Sequence, residues 1–215
     1  MAVHYVEKFF DPDNHITEKD FDEFSPDQRY LISVMTYRTR KYCWNYTRAL
    51  VYRTDTQEII ADLRRNYDNF WYRWIFTPQG DFLLCSQNYQ GYTLVNLATG
   101  NVDDFIPPEA KRNEGFIWDR VILSPGETRV LVIGHQFGMR SDIRVYDLSM
   151  LPKFPLRENP VLLSMSTPLL HSDRDIFKNT DFTWHNDLVF TSSIKKHRDD
   201  NNELISGVII DLKID

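Results

Sequence analysis

Ser124-Pro125-Gly126-Glu127, followed through Thr128-Arg129 by the apolar run Val130-Leu131-Val132-Ile133, is the stretch on which the fold reading turns. Proline sits well at the first corner of a tight turn, and a β-branched run behind it reads as a strand. The same join recurs along the chain. Ser25-Pro26-Asp27-Gln28 leads into Tyr30-Leu31-Ile32-Ser33-Val34, and Thr77-Pro78-Gln79-Gly80 leads into Phe82-Leu83-Leu84-Cys85. A shorter fourth copy places His185-Asn186-Asp187 before Leu188-Val189-Phe190-Thr191. Such self-similarity at a spacing of about 45 to 60 residues signals a repeat architecture.

A second strand follows each of these: Ala49-Leu50-Val51-Tyr52, Tyr92 to Leu97, Ile143 to Leu148 and Gly207 to Leu212. A third is readable in three copies, as Glu58 to Leu63, Val102 to Ile106 and Val161 to Met165. The fourth copy runs out at Asp215, whereas Val3-His4-Tyr5-Val6-Glu7-Lys8-Phe9-Phe10 reads as a strand with nothing before it to pair with. Pairing the two ends would remove the exposed edges of an open sheet. The expectation is therefore an all-β chain forming a small β-propeller of four antiparallel four-stranded blades, the last closed by the N-terminal strand. Its blades are expected at residues 20–63, 71–106, 116–165 and 181–215 plus 2–10, in one domain spanning 1–215. A piece of a larger propeller and a sandwich of similar hairpins remain open alternatives.

The Ser-Pro-Asp turn before a strand, the Val145-Tyr146-Asp147-Leu148 strand and the Thr99-Gly100 turn resemble the blades of WD-repeat and related propeller families over nearly the whole chain. No copy ends in Trp-Asp or opens with Gly-His, so the resemblance is to the broader propeller group. It implies a rigid scaffold whose loops bind partners.

Composition agrees with a pleated fold. The 215 residues include 14 Phe, 11 Tyr and 5 Trp but only 8 Gly, a balance that favours half-buried strands over helices. No apolar run is long enough to span a bilayer, and the first residues lack the basic start of a secretion signal, so a soluble intracellular protein is expected. Cys43 and Cys85 fit no metal spacing and need not form a disulfide. A net charge of −6 argues against wholesale coating of nucleic acid.

In a ring of antiparallel blades the connections sort onto two faces. One carries the short turns and termini, the other the loops 11–20, 37–46, 63–73, 88–91, 107–115, 135–142, 166–181 and 195–204. These loops sum to +1 against −7 for the rest of the chain, with the positive charge gathered between the first two blades. There Arg38, Arg40, Lys41, Tyr42 and Trp44 interleave cations with aromatics, and Arg64, Arg65 and Tyr67 stand on the neighbouring loop. Guanidinium groups pair with carboxylate or phosphate, and rings stack on bases or cover apolar side chains. The same residues also suit plain hairpin ends, with rings packing across strands and cations in solvent.

These eight residues form the candidate binding set, for a protein or peptide partner first and for nucleic acid or another polyanion as the alternative. His135, His171, His185 and His197, with Asp173, Asp175 or Asp199, follow no ligand spacing, and no metal or cofactor is expected. Asp103 and Asp104 are adjacent on a strand and so point to opposite faces. With no phosphate-binding Gly loop and no nucleophile elbow, a non-enzymatic module is the expectation. Trp74, Trp118 and Trp184, with Ile75, Phe76, Ile117 and Val121, are expected in the core.

Overall fold

The computed structural model describes residues 7–38, 45–65, 67, 70–87, 89–136, 141–159, 180–186, 189–194 and 210–213. The chain is all-β, and its antiparallel sheets follow the four sequence repeats. The first sheet orders β1 (Phe21–Phe24), β2 (Tyr30–Arg38), β3 (Asn45–Arg53) and β4 (Ile59–Arg65) as neighbours in sequence. The second does the same with β5 (Tyr72–Thr77), β6 (Gly80–Cys85), β7 (Tyr92–Asn96) and β8 (Val102–Phe105). The third contains β9 (Phe116–Leu123), β10 (Arg129–Gln136), β11 (Ser141–Asp147) and β12 (Arg157–Asn159). The fourth has three described strands, β13 (Thr180–Asn186), β14 (Val189–Ile194) and β15 (Ile210–Lys213). By compactness the chain divides at Trp118 into units 1–118 and 119–215.

The serine turns work as backbone clasps. Buried Ser25 accepts through Oγ from the Tyr30 N–H (3.0 Å), and its own N–H donates to the Tyr30 carbonyl (2.8 Å). Ser124 repeats both bonds with Arg129, each at 3.0 Å. Gln28 (φ 60°) and Glu127 (φ 54°) take the left-handed corner of the two turns. The second copy differs: Thr77 pairs directly with Gly80, closing a two-residue hairpin. In all three copies the next ladder bond matches, from Thr54 N–H to Arg29 (3.0 Å), Leu97 to Asp81 (2.9 Å) and Leu148 to Thr128 (2.9 Å). Ser25→Ala should cost about 1–2 kcal/mol, because a buried N–H at Tyr30 would lose its acceptor. A urea titration checks this, and an unchanged midpoint would show the clasp to be dispensable.

Within residues 1–118 the first two sheets pack face to face. Tyr30, Ile32, Val34, Ala49, Val51 and Leu63 from one meet Tyr72, Trp74, Leu83, Cys85, Val95 and Leu97 from the other. Along each strand the residues that meet there alternate, because successive side chains of a pleat point to opposite faces. The second sheet is buried on its opposite face as well, where Ile75, Phe82, Leu84, Tyr92 and Leu94 are all 2% exposed or less. There Trp118 stacks on Trp71 (centroids 5.3 Å) and lies against Tyr92 (4.7 Å). Equivalent positions do not face each other. Tyr30 and Phe82 each open the ladder between the second and third strands of their sheet, pairing with Arg53 and Asn96. Tyr30 looks toward the second sheet, whereas Phe82 looks away from the first. The two sheets are therefore stacked in the same sense, head to tail.

Several expectations change in detail. Glu7–Phe10 is a turn of 3-10 helix and not the end of a strand, while residues 1–6 lie outside the described residues. The reason is packing: Phe9 stacks on Tyr46 (4.5 Å) and Phe10 sets its edge against Tyr37 (5.3 Å). A strand would point consecutive side chains to opposite faces. The outer strand of the third sheet is β12, at Arg157–Asn159, and the expected strand at 161–165 falls outside the described residues. Trp74, Ile75, Ile117, Trp118 and Val121 are buried as expected, with Phe76 and Trp184 half-buried. Buried Cys85 is a free thiol whose pKa is pushed up by burial and by the nearby Asp104 carboxylate.

Candidate interaction surface

The antiparallel ladder brings the ends of β2 and β4 and the start of β3 to one end of the first sheet. Their last described pairs are Arg38 with Asn45 and Thr47 with Arg65. The N-terminal segment joins them there: Ile16 N–H donates to the Thr36 carbonyl (2.8 Å), and His15 stacks on Tyr37 (5.0 Å) while pairing with Asp20 (2.8 Å). Three of the eight candidate residues lie on β2 or β4, and each is engaged differently.

Arg38 is exposed and donates from Nε to Asn45 Oδ1 at 2.8 Å. Arg64 is half-buried, paired with Asp62 (3.0 Å) and with Glu7, and its guanidinium lies 5.6 Å from the centre of the Phe10 ring. Arg65 is 1% exposed, donates to the Ser86 carbonyl at 2.8 Å and covers the Tyr67 ring at 5.4 Å. Tyr67 is half-buried against Tyr89, edge to face at 5.1 Å. Arg40, Lys41, Tyr42 and Trp44 fall outside the described residues.

Two of the expected surface cations therefore need correcting. Arg65 is an internal tie from β4 to the start of the loop after β6, because the pleat that buries Ala61 and Leu63 turns residue 65 inward too. Arg64 is an ion-pair member. Its neighbour Asp62 also accepts two bonds from Arg48, at 2.8 and 2.9 Å, so two arginines and two carboxylates balance on this face. The expectation missed Arg48, Asp62 and Glu7 because the first two meet only through the register of β3 on β4, which places Arg48 opposite Arg64 and Leu50 opposite Asp62.

Burial opposes ionisation of Asp62, but the hydrogen bonds and charges of Arg48 and Arg64 outweigh it and hold the carboxyl below its usual value. A depressed carboxyl contributes stability above its unfolded pKa, and that contribution is lost as pH falls through the folded value. Asp62→Asn should thus cost about 1 kcal/mol at neutral pH, kept small by solvent screening, and converge on the wild type as pH falls below the usual carboxylate range. Urea midpoints measured across pH check this, and a constant gap would contradict it.

The histidine expectation does not assemble. His135 Nδ1 meets Asp119 Oδ2 at 2.6 Å, His185 is exposed on β13, and His171, His197, Asp173, Asp175 and Asp199 lie outside the described residues. Among the described residues no three or more His, Cys, Asp or Glu gather where a metal could sit. Asp104 accepts from the Thr93 hydroxyl at 2.5 Å, whereas Asp103 lies on the opposite face of β8. No helix among the described residues is long and apolar enough to cross a membrane.

No family model matches the chain. It is similar to an uncharacterized protein of Acanthamoeba polyphaga mimivirus, 30% identical over 141 residues. That match covers 66% of this chain and 55% of the relative, so it spans about half the relative's length.

Proposed function

We propose that the chain is a four-bladed β-propeller serving as a non-enzymatic docking module for a protein or peptide partner, through the loop ends that Arg38 to Tyr46 and Arg65 to Tyr72 flank. The head-to-tail stacking of the first two sheets supports the ring. A heterologous contact repeated with a rotation that closes gives a ring, and the second sheet is buried on the face turned away from the first as well. In this reading the N-terminal segment is the piece that closes the ring, as expected from the sequence. Deleting residues 1–6 alone, which leaves Phe9 and Phe10 in place, should then expose an edge and promote self-association. A truncated chain that stays monomeric and equally stable in light scattering and urea titration rules the ring out.

The choice of partner rests on one observation. Arg64 is held between Asp62 and Glu7 while Arg65 is buried, so two of the five cations that a polyanion would use are already committed. The geometry therefore favours a protein partner over nucleic acid. A pull-down comparing wild type with Arg40→Glu plus Trp44→Ala should lose a partner, and an unchanged set of partners removes this surface. Single-stranded DNA at low salt should show no affinity, and binding that falls steeply with added salt would restore the polyanion reading.

A further inference from the structure

β1 ends its sheet, and among the described residues no strand lies along its outer edge. All four of its residues are exposed, Phe21 by 43% and Phe24 by 57%. A free edge of this kind keeps half its backbone N–H and C=O groups ready for an incoming strand.

Its side chains alternate in a way that specifies the visitor. Phe21 stacks on Tyr72 at 6.4 Å and Glu23 accepts the Tyr72 hydroxyl, so both stand on the face toward the second sheet. Asp22 and Phe24 stand on the other face. Each face of the strand thus offers one phenyl ring and one carboxylate. The surrounding segment 11–27 holds seven carboxylates and one lysine, a net −6 that equals the charge of the whole chain. A second copy of β1 laid along this edge would set carboxylate against carboxylate, which destabilises a ladder, whereas lysine or arginine opposite them stabilises it.

We infer that β1 is a docking edge for an extended segment of a partner protein reading apolar, basic, basic, apolar. Phe21 and Phe24 cover the apolar side chains, and Asp22 and Glu23 face the cations. Phe21-Asp22-Glu23-Phe24 has the same character read in either direction, so parallel and antiparallel visitors meet one pattern. The inference rests on the protein-docking reading and names the partner's chemistry.

The test is a titration of the nitrogen-15-labelled full chain with capped peptides carrying Leu-Lys-Lys-Leu or Leu-Glu-Glu-Leu, followed by amide shifts. The basic peptide should move the amides of residues 21–24 and of their ladder partners 31–34, and the acidic one should not. Asp22→Lys plus Glu23→Lys should invert the preference, weakening the basic peptide at least about tenfold and admitting the acidic one. Asp22→Lys alone leaves the Glu23 bond to Tyr72 intact and should give part of the effect, so loss of fold cannot imitate it. Equal response to both peptides, shifts confined to other strands, or indifference to the reversal overturns the inference. A pull-down partner that survives such a result leaves the docking module standing and removes only this edge.

Discussion

Gly91→Ala should destabilise the chain by about 3 kcal/mol or more, a fall of roughly 6–12 °C in melting temperature for a protein of this size. Gly91 stands immediately before β7 with φ at +112°, a conformation that L side chains rarely adopt. A methyl group there would lie 2.0 Å from the Phe105 carbonyl oxygen and 3.2 Å from Pro107 Cδ. That oxygen belongs to backbone, opposite Tyr92 in the ladder of β7 on β8, so it can retreat only by breaking the pairing that holds the outer strand. Gly100→Ala is the contrast: at φ +75° its new methyl would meet the Ile60 carbonyl oxygen at 3.0 Å, a contact eased by a small shift. Its cost should be about 1 kcal/mol. Thermal and urea midpoints of the two variants separate these mechanisms, and equal losses would show that crowding at Phe105 does not set the cost.

What could be read from sequence follows the range of the physics involved. The serine turns were legible because their chemistry is local: a hydroxyl, a proline and a left-handed corner lie within five residues, and Ser25 and Ser124 make the same bonds. The strands behind them were legible for two reasons: β2 has the period of two that one buried face imposes, whereas β6 and β10 are short apolar runs buried on both faces. The turn at Glu7–Phe10 was not, since Val3 to Phe10 has a strand's composition and only Tyr37 and Tyr46, far along the chain, draw two consecutive phenylalanines to one side. Arg65 was misjudged as a loop cation although its parity with Ala61 and Leu63 already placed it inward. Extending the strand pattern two residues further would have found it. The pairing of Arg48 with Asp62 lay beyond reach, because it needs the register of β3 on β4 and a bulge between Val51 and Tyr52 shifts that register nearby.

The face of the second sheet turned away from the first offers the sharpest test. Trp118→Ala should cost about 3–5 kcal/mol, the range for deleting a large aromatic from a packed interior. Trp118 is 3% exposed and stands between Trp71 and Tyr92, covering the face of the second sheet that the first does not. Removing it leaves Trp71 without its nearly parallel partner, the two rings now lying 12° apart, and takes a second ring from Tyr92. Trp118→Phe keeps a ring against Tyr92 and should recover more than half of the loss. The comparison bears on architecture as well as stability. In a two-layer sandwich the outer face of a sheet is solvated, and a tryptophan lying on it could be truncated for about 1 kcal/mol or less. A loss several times larger means that Trp118 is packed as interior on Trp71 and Tyr92, and that this face of the second sheet is not a solvated outer face.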